Sequence, residues 1–233
     1  MTTARPIIFS SDMVLAILNG SKTQTRRLVK PQPPARQKNV QYPAIEVLSS
    51  SPLVRRDRLD ACRFWEYAGD GTSSSQLVKS SHGGPMDRLW VREAWCLNDP
   101  EFEHQQPPTP RPSEKGRWAY YRATEPDIEG AEGKSPWKTS IYMPRWASRL
   151  TLEITSLRVE RLQNITEEDA QSEGIDHDEK WWYGPTHPVK DMPKVFHNAK
   201  SAYRSLWNEL HPGAHENWAV NPWIWAISFK RIP

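Results

Sequence analysis

Apolar positions in this chain come in short bursts, and each burst has a readable period. Ile7, Ile8 and Phe9 form a run of strand length. Directly after it, Met13, Val14, Ile17 and Leu18 recur at helical spacing on one face. Ser10 or Ser11 is the expected N-cap, Asp12 suits the first turn, and Gly20 is the natural stop. Arg88 to Trp95 reads as a strong strand, and Trp118 to Arg122 and Ser140 to Met143 as two more. The run from Leu150 to Leu162 alternates through Leu150, Leu152 and Ile154, then resumes at Leu157 and Val159 with the opposite parity. That change predicts a bulge or a corner. Thr166 and Asp169 make a near capping box, Ile165 can staple onto Ala170, and Gly174 closes the short helix between them. Phe196, Ala199, Tyr203, Leu206, Trp207 and Leu210 mark an amphipathic helix closing near Gly213. Trp223, Trp225, Ile227 and Phe229 alternate in a closing strand.

Between these bursts the text loosens. We read the chain as one domain, 1–233, with insertions at about 31–87, 100–115 and 177–194, rich in Pro, Gly, Ser and His. Inside the first, Ala61 to Tyr67 and Gln76 to Lys79 are the two arms of an expected hairpin. Mean hydropathy is −0.76 and hydrophobic residues are 37%, so the core is modest. Twelve tryptophans in so polar a chain serve either to pack a small barrel or to stack on bases. The net charge of +3 permits nucleic-acid contact without demanding it. Two cysteines without motif spacing, no signal-peptide pattern and no long apolar run read as a cytoplasmic, reduced protein without a membrane partner.

Candidate chemistry gathers at Gly20-Ser21-Lys22-Thr23-Gln24-Thr25-Arg26-Arg27. Taken alone this is either a solvated turn into an edge strand or a lysine and hydroxyl poised for nucleophilic work. Gly20-Ser21-Lys22-Thr23 is not a phosphate loop, because the helix precedes the motif instead of following it. Lys22 and Thr25 have opposite parity, so a regular strand would aim them at opposite faces.

A helix followed by G-x-K-T-x-T-R-R resembles the signature of the ASCH domain, a family of the PUA-like superfamily often met in phages and prophages. The resemblance extends to the Arg88 strand, the Leu150 to Gly174 unit and the last strand, and leaves the insertions uncovered. It implies an α+β fold: a small mixed or antiparallel β-barrel flanked by helices, carrying long loop insertions. The family's bacterial N4-acetylcytidine amidohydrolases carry T-E-x-x-A-x-x-E, matched here by Thr166 to Glu173. The resemblance therefore implies removal of an acyl group from N4-acylated cytosine or cytidine, with Lys22, Thr25 and Glu173 as catalytic residues. Thr25 would attack or align a water, Lys22 would act as base or oxyanion stabiliser, and Glu173 would protonate the leaving amine. Arg26, Glu93, Arg145 and Trp146 are the expected substrate-binding residues. The partner is a modified nucleoside. The alternative reading is an RNA-binding module or a single-stranded RNA ribonuclease. No cofactor is expected, and no metal: Pro212 and Gly213 interrupt the helix that would align His211 with His215.

Overall fold

The computed structural model describes residues 4–32, 45–47, 61–67, 73–97, 118–126, 136–184 and 195–233. The expected insertion at 100–115 lies outside them. In chain order the elements are β1 (Ala4–Ile8), α1 (Ser11–Leu18), β2 (Gln24–Leu28), β3 (Ile45–Val47), β4 (Ala61–Tyr67), β5 (Ser73–Lys79), β6 (Arg88–Arg92), β7 (Trp95–Leu97) and β8 (Ala119–Tyr121). They continue with β9 (Thr151–Arg161), α2 (Glu167–Ser172), β10 (Asp176–His177), β11 (Trp182–Tyr183), α3 (Ala199–Leu210) and β12 (Trp223–Ile232). The fold is α+β.

Five strands form the main sheet in the order β1-β6-β9-β12-β2. The β1–β6 pair is parallel and the other pairs are antiparallel, so the sheet is mixed. β1 and β2 are its edges, and among the described residues no backbone ladder joins them. The register of β12 on β9 shifts between Ser228 and Phe229, which pair with Ser156 and Ile154. Thr155 is the extra residue, and this bulge is the parity change between Ile154 and Leu157. It keeps apolar side chains on the core face on both sides of the irregularity.

β12 is an interior strand and is buried on both faces. Trp225, Ile227 and Phe229 lie on one face, Ile224 and Ala226 on the other. One continuous core joins them to Ile7, Leu89, Val91, Leu152 and Ile154, to Met13, Val14 and Ile17 of α1, and to Tyr203, Leu206 and Trp207 of α3. The helix signals act as read. Ser10 Oγ accepts from Met13 N, Thr166 Oγ1 from Asp169 N and Asn198 Oδ1 from Ser201 N, so each helix begins where a side chain satisfies a free amide. The Asn198 cap also corrects the start of the last helix, which excludes Phe196; that residue bridges to Trp182 instead.

Three strand expectations are corrected. The Arg88 strand breaks after Arg92: Glu93 N donates to Met143 Sδ, and the chain resumes as β7 in a separate pair with β8. Ser140 to Met143 is a 3-10 turn, closed by Tyr142 N to Thr139 O and Met143 N to Ser140 O. Only Met143 of that stretch is buried, so no sheet face holds it extended. The hairpin arm expected at Gln76 to Lys79 begins earlier, at Ser73, and β3-β4-β5 is a three-stranded antiparallel sheet.

Candidate active site

The motif segment is not a solvated turn. Gly20, at φ +85°, takes the chain out of α1 in a conformation that side chains resist. Lys22 N then donates to Ala16 O at 2.9 Å, which brings the chain back along the helix end. Thr23 N donates to Ser172 O at 2.8 Å, and Thr23 O accepts from Phe229 N at 2.9 Å. The segment is thus stitched between the C-terminal end of α2 and β12. Lys22 and Glu173 face each other across an antiparallel bridge. Gly174 makes this contact feasible: its φ is +92°, and a Cβ there would lie 3.3 Å from the Cβ atoms of both Ala16 and Lys22.

Lys22 Nζ donates to the Glu173 carboxylate Oε2 at 2.7 Å and to the Glu173 carbonyl at 2.7 Å. The two side chains are 0% and 4% exposed. Burial pushes the lysine below its ordinary range, and the carboxylate of Glu173 opposes that shift without cancelling it. Arg26 Nη1 donates to the other carboxylate oxygen, Oε1, at 3.2 Å. Arg26 is itself engaged at both terminal nitrogens: Nη1 also reaches Gln24 Oε1 at 2.6 Å, and Nη2 reaches Glu160 Oε1 at 2.8 Å and Asp169 Oδ2 at 2.9 Å, while its Nε is buried without a partner. Burial alone would lower its pKa, but Glu173, Tyr203, Glu160 and Asp169 together raise it.

A cavity of about 220 Å³ opens at the β2 edge. Glu173, Thr25, Arg26 and Arg27 form its polar side, with Ile8, Ser10 and Met13 at one end and α3 covering it with Tyr203, Leu206, Trp207, Leu210 and His211. Successive residues of a strand point to opposite faces, but a cavity at an edge can be reached from both. Trp207 and His211 stack with ring centroids 4.0 Å apart at 16°, and burial lowers the pKa of that histidine. The volume is below the roughly 300 Å³ at which drug-sized pockets begin. It suits a single ring with a small substituent.

Of the residues singled out in the sequence, Thr25, Arg26 and Glu173 line this cavity, and Lys22 lies behind Glu173 in direct contact with it. Thr25 opens on the cavity and Lys22, which precedes β2, does not line it; Arg26, of the same parity as Lys22, lines it too, so lining does not report the strand face. Glu93, Arg145 and Trp146 are not among the lining residues. Glu93, 1% exposed, is clamped by Arg149, with Nε to Oε1 at 3.0 Å and Nη2 to Oε2 at 2.9 Å. Trp146 packs edge-on against Trp95, and Arg145 lies over the ring of Trp90 at 5.6 Å.

Arg27 belongs to the motif stretch but not to the expected substrate-binding set. It lines the cavity, donates Nη2 to Ile8 O at 2.6 Å and lies 5.3 Å from the Phe9 ring centroid. Its Nε is buried without a partner, and among the described residues it forms no ion pair. Burial lowers its pKa, against the pull of Glu173 and Tyr203. Both arginines bury an Nε without a partner, but Arg26 pairs with three carboxylates and Arg27, among the described residues, with none, so Arg27 is the cation whose charge is left for a ligand. The signal was present: Arg27 closes the same motif stretch that carries Lys22, Thr25 and Arg26.

Among the described residues no group of three or more His, Cys, Asp and Glu side chains is arranged to hold a metal ion. No helix there is long and apolar enough to cross a membrane. Compared with known proteins, the chain matches no family model, no curated protein and no solved structure.

Proposed function

We propose that the protein is an amidohydrolase that removes the acyl group from N4-acylated cytosine or cytidine, and that it is an ASCH-type member of the PUA-like superfamily. The observation that carries this reading is the buried Lys22–Glu173 pair, 2.7 Å apart, whose glutamate lines a cavity that Thr25 and Arg27 also line. A lysine and a glutamate from distant parts of the chain are hidden from water and pressed together beside a hydroxyl. Burying such a pair carries a desolvation cost of several kcal/mol per ion, on the order of magnitude that functional sites tolerate. In this reading the five-stranded sheet is the family's barrel. Its seam lies between β1 and β2, where Arg27 reaches Ile8 O.

The chemistry follows from the groups present. Arg27 holds the acyl carbonyl and stabilises the oxyanion. Thr25 attacks the acyl carbon or aligns a water to do so, and Glu173 takes the proton released. Lys22, weakened as an acid's conjugate by burial, shares that proton across the short contact and keeps Glu173 aimed at the cavity. The C–N bond breaks as the proton passes to the exocyclic amine. One water is consumed, and a carboxylic acid, which gives its proton to solvent, and a free cytosine amine leave. Lys22 donates to Glu173 rather than to the cavity, so it acts through Glu173, not as a direct oxyanion donor.

The test is incubation with N4-acetylcytidine, following release of cytidine. Wild type should turn over. Thr25→Val and Glu173→Gln should lose at least about a hundredfold in kcat, and Arg27→Met should lose kcat/KM by a similar factor. Undiminished turnover in Glu173→Gln would remove the mechanism.

A further inference from the structure

Resting on that reading, we propose that Tyr203 of α3 is a further catalytic residue, whose hydroxyl donates a hydrogen bond to the acyl oxygen and stabilises the negative charge that develops there. Tyr203 lines the cavity and is 3% exposed. Its ring is held on several sides: Trp207 and Trp218 lie 6.2 Å and 6.5 Å away, centroid to centroid, and the Arg26 guanidinium lies 5.8 Å from the ring centroid. The hydroxyl takes no part in that packing. Among the described residues it has no hydrogen-bond partner, and it is not one of the partnerless polar atoms sealed inside the protein, so it opens on the cavity. A hydroxyl without a partner at so buried a position is destabilising, and a ligand atom there would offset that cost. Other neutral polar groups on the wall are already used. Ser10 Oγ accepts from Met13 N, and His211 Nδ1 lies 3.2 Å from Trp207 O.

Position decides which ligand atom the hydroxyl meets. α3 runs the length of the cavity, and Tyr203 and His211 are about 12 Å apart along its axis, so they serve opposite ends. The Tyr203 end is the Glu173 end, because Arg26, which lies over the Tyr203 ring, also donates to Glu173 Oε1. Attack requires the acyl carbonyl to lie beside Thr25 and Glu173, which puts the acyl group, not the far edge of the ring, under the phenol. Burial pushes that phenol well above its ordinary 10 and Glu173 pushes it further, against the opposing pull of Arg26 and Arg27. It therefore keeps its proton and serves as a donor. A carbonyl oxygen has two lone pairs. Arg27 donates to one and Tyr203 to the other. As the nucleophile adds to the acyl carbon, the π pair moves onto the oxygen between these two donors, and it returns when the C–N bond breaks. Tyr203 gives up no proton at any step. Its packed ring sets the donor in place before the charge forms, the condition under which such a bond lowers a barrier.

The test is Tyr203→Phe, which keeps the ring and removes only the hydroxyl. Steady-state hydrolysis of N4-acetylcytidine and the thermal midpoint are measured on the same preparations of wild type and variant. In the variant kcat should fall by about a hundredfold while KM stays near wild type, the pattern of a contact made in the transition state. Its thermal midpoint should equal or exceed that of wild type, because no hydrogen bond within the protein is lost. A tyrosine whose hydroxyl serves only the fold would lose stability instead. Unchanged kcat would overturn the proposal. So would a raised KM at unchanged kcat, which would put the hydroxyl on the ground-state ligand, or a lowered thermal midpoint accompanying the loss of turnover. Wild type that fails to hydrolyse N4-acetylcytidine sinks the amidohydrolase reading, and this role with it. Wild-type turnover undiminished in Tyr203→Phe sinks the role alone and leaves the reading standing.

Discussion

Glu173 is where two cations compete for one carboxylate, and the asymmetry between them makes the pair testable. Removing Lys22 leaves the carboxylate its bond from Arg26. Removing the charge of Glu173 strands an ammonium whose side chain is 0% exposed, held then only by a carbonyl. Glu173→Gln should therefore cost about 3 kcal/mol and Lys22→Met about 1–2 kcal/mol, read by urea unfolding near neutral pH. The pH dependence has a definite sign. In the folded protein burial sets the Lys22 pKa below the 10.5 of an exposed lysine. Between that lowered value and 10.5 the unfolded chain binds the proton and the folded chain does not, so stability rises with pH across the window. The deficit of Glu173→Gln should shrink as pH climbs toward 10.5 and deepen as it falls. A deficit constant across that range would mean that Lys22 is not the stranded charge.

At the level of elements, α2 is a six-residue helix that presents Glu173 only because it is fixed at both ends. Its first turn is clamped by Asp169, which accepts from Arg26, Gln24 and Arg158, and its C-cap, Glu173, abuts Gly174. Asp169 is partly buried, which raises its pKa, but Arg26, Gln24 and Arg158 outweigh that and hold it below 3.8. Its contribution is thus present above that pH and fades as pH falls through the lowered folded-state value. Asp169→Asn should lose about 1 kcal/mol at neutral pH, a figure already reduced for solvent screening, and converge with wild type in acid. Gly174→Ala should cost about 1–2 kcal/mol and disturb activity as well, because the new methyl meets the Cβ of Lys22. Much of this scale was legible in the chain. The caps at Ser10 and Thr166, the stop glycines and the parity change in β9 are local signals, and local chemistry decides them. Ser140 to Met143 and the break after Arg92 were not legible, because they depend on what packs opposite. The same limit applies to the site. Lys22, Thr25 and Glu173 came from a motif, but that Arg26 pairs with three carboxylates and Arg27, among the described residues, with none is a property of distant side chains. Glu93 looked like a binding residue because its tie to Arg149 spans 56 positions of sequence.

For the molecule as a whole, the open question is whether the β3-β4-β5 sheet is part of the same cooperative unit as the five-stranded sheet. Cys62 of β4 and Val78 of β5 are 0% and 3% exposed, and both belong to the core that contains Leu152 and Phe229. That shared packing argues that the small sheet cannot leave without opening the large one. The two cysteines make the argument measurable, since both are buried thiols outside any disulfide, and Cys96 sits instead on β7 of the separate two-stranded pair. Burial raises the Cys62 thiol to about 12, so it is neither exposed nor ionised at neutral pH, and a thiol reagent should reach it only through opening. If the two sheets open together, Cys62 labelling should rise with urea along the global unfolding curve, extrapolating to the same free energy in water. The comparison needs each thiol alone, with Cys62→Ala and Cys96→Ala as the partners. If Cys62 labels at urea concentrations where tryptophan fluorescence still reports the native state, the small sheet is a separate unit and the one-domain reading fails. Coincident curves would mean that the cavity at the β2 edge is held by a core extending from the first strand to the last.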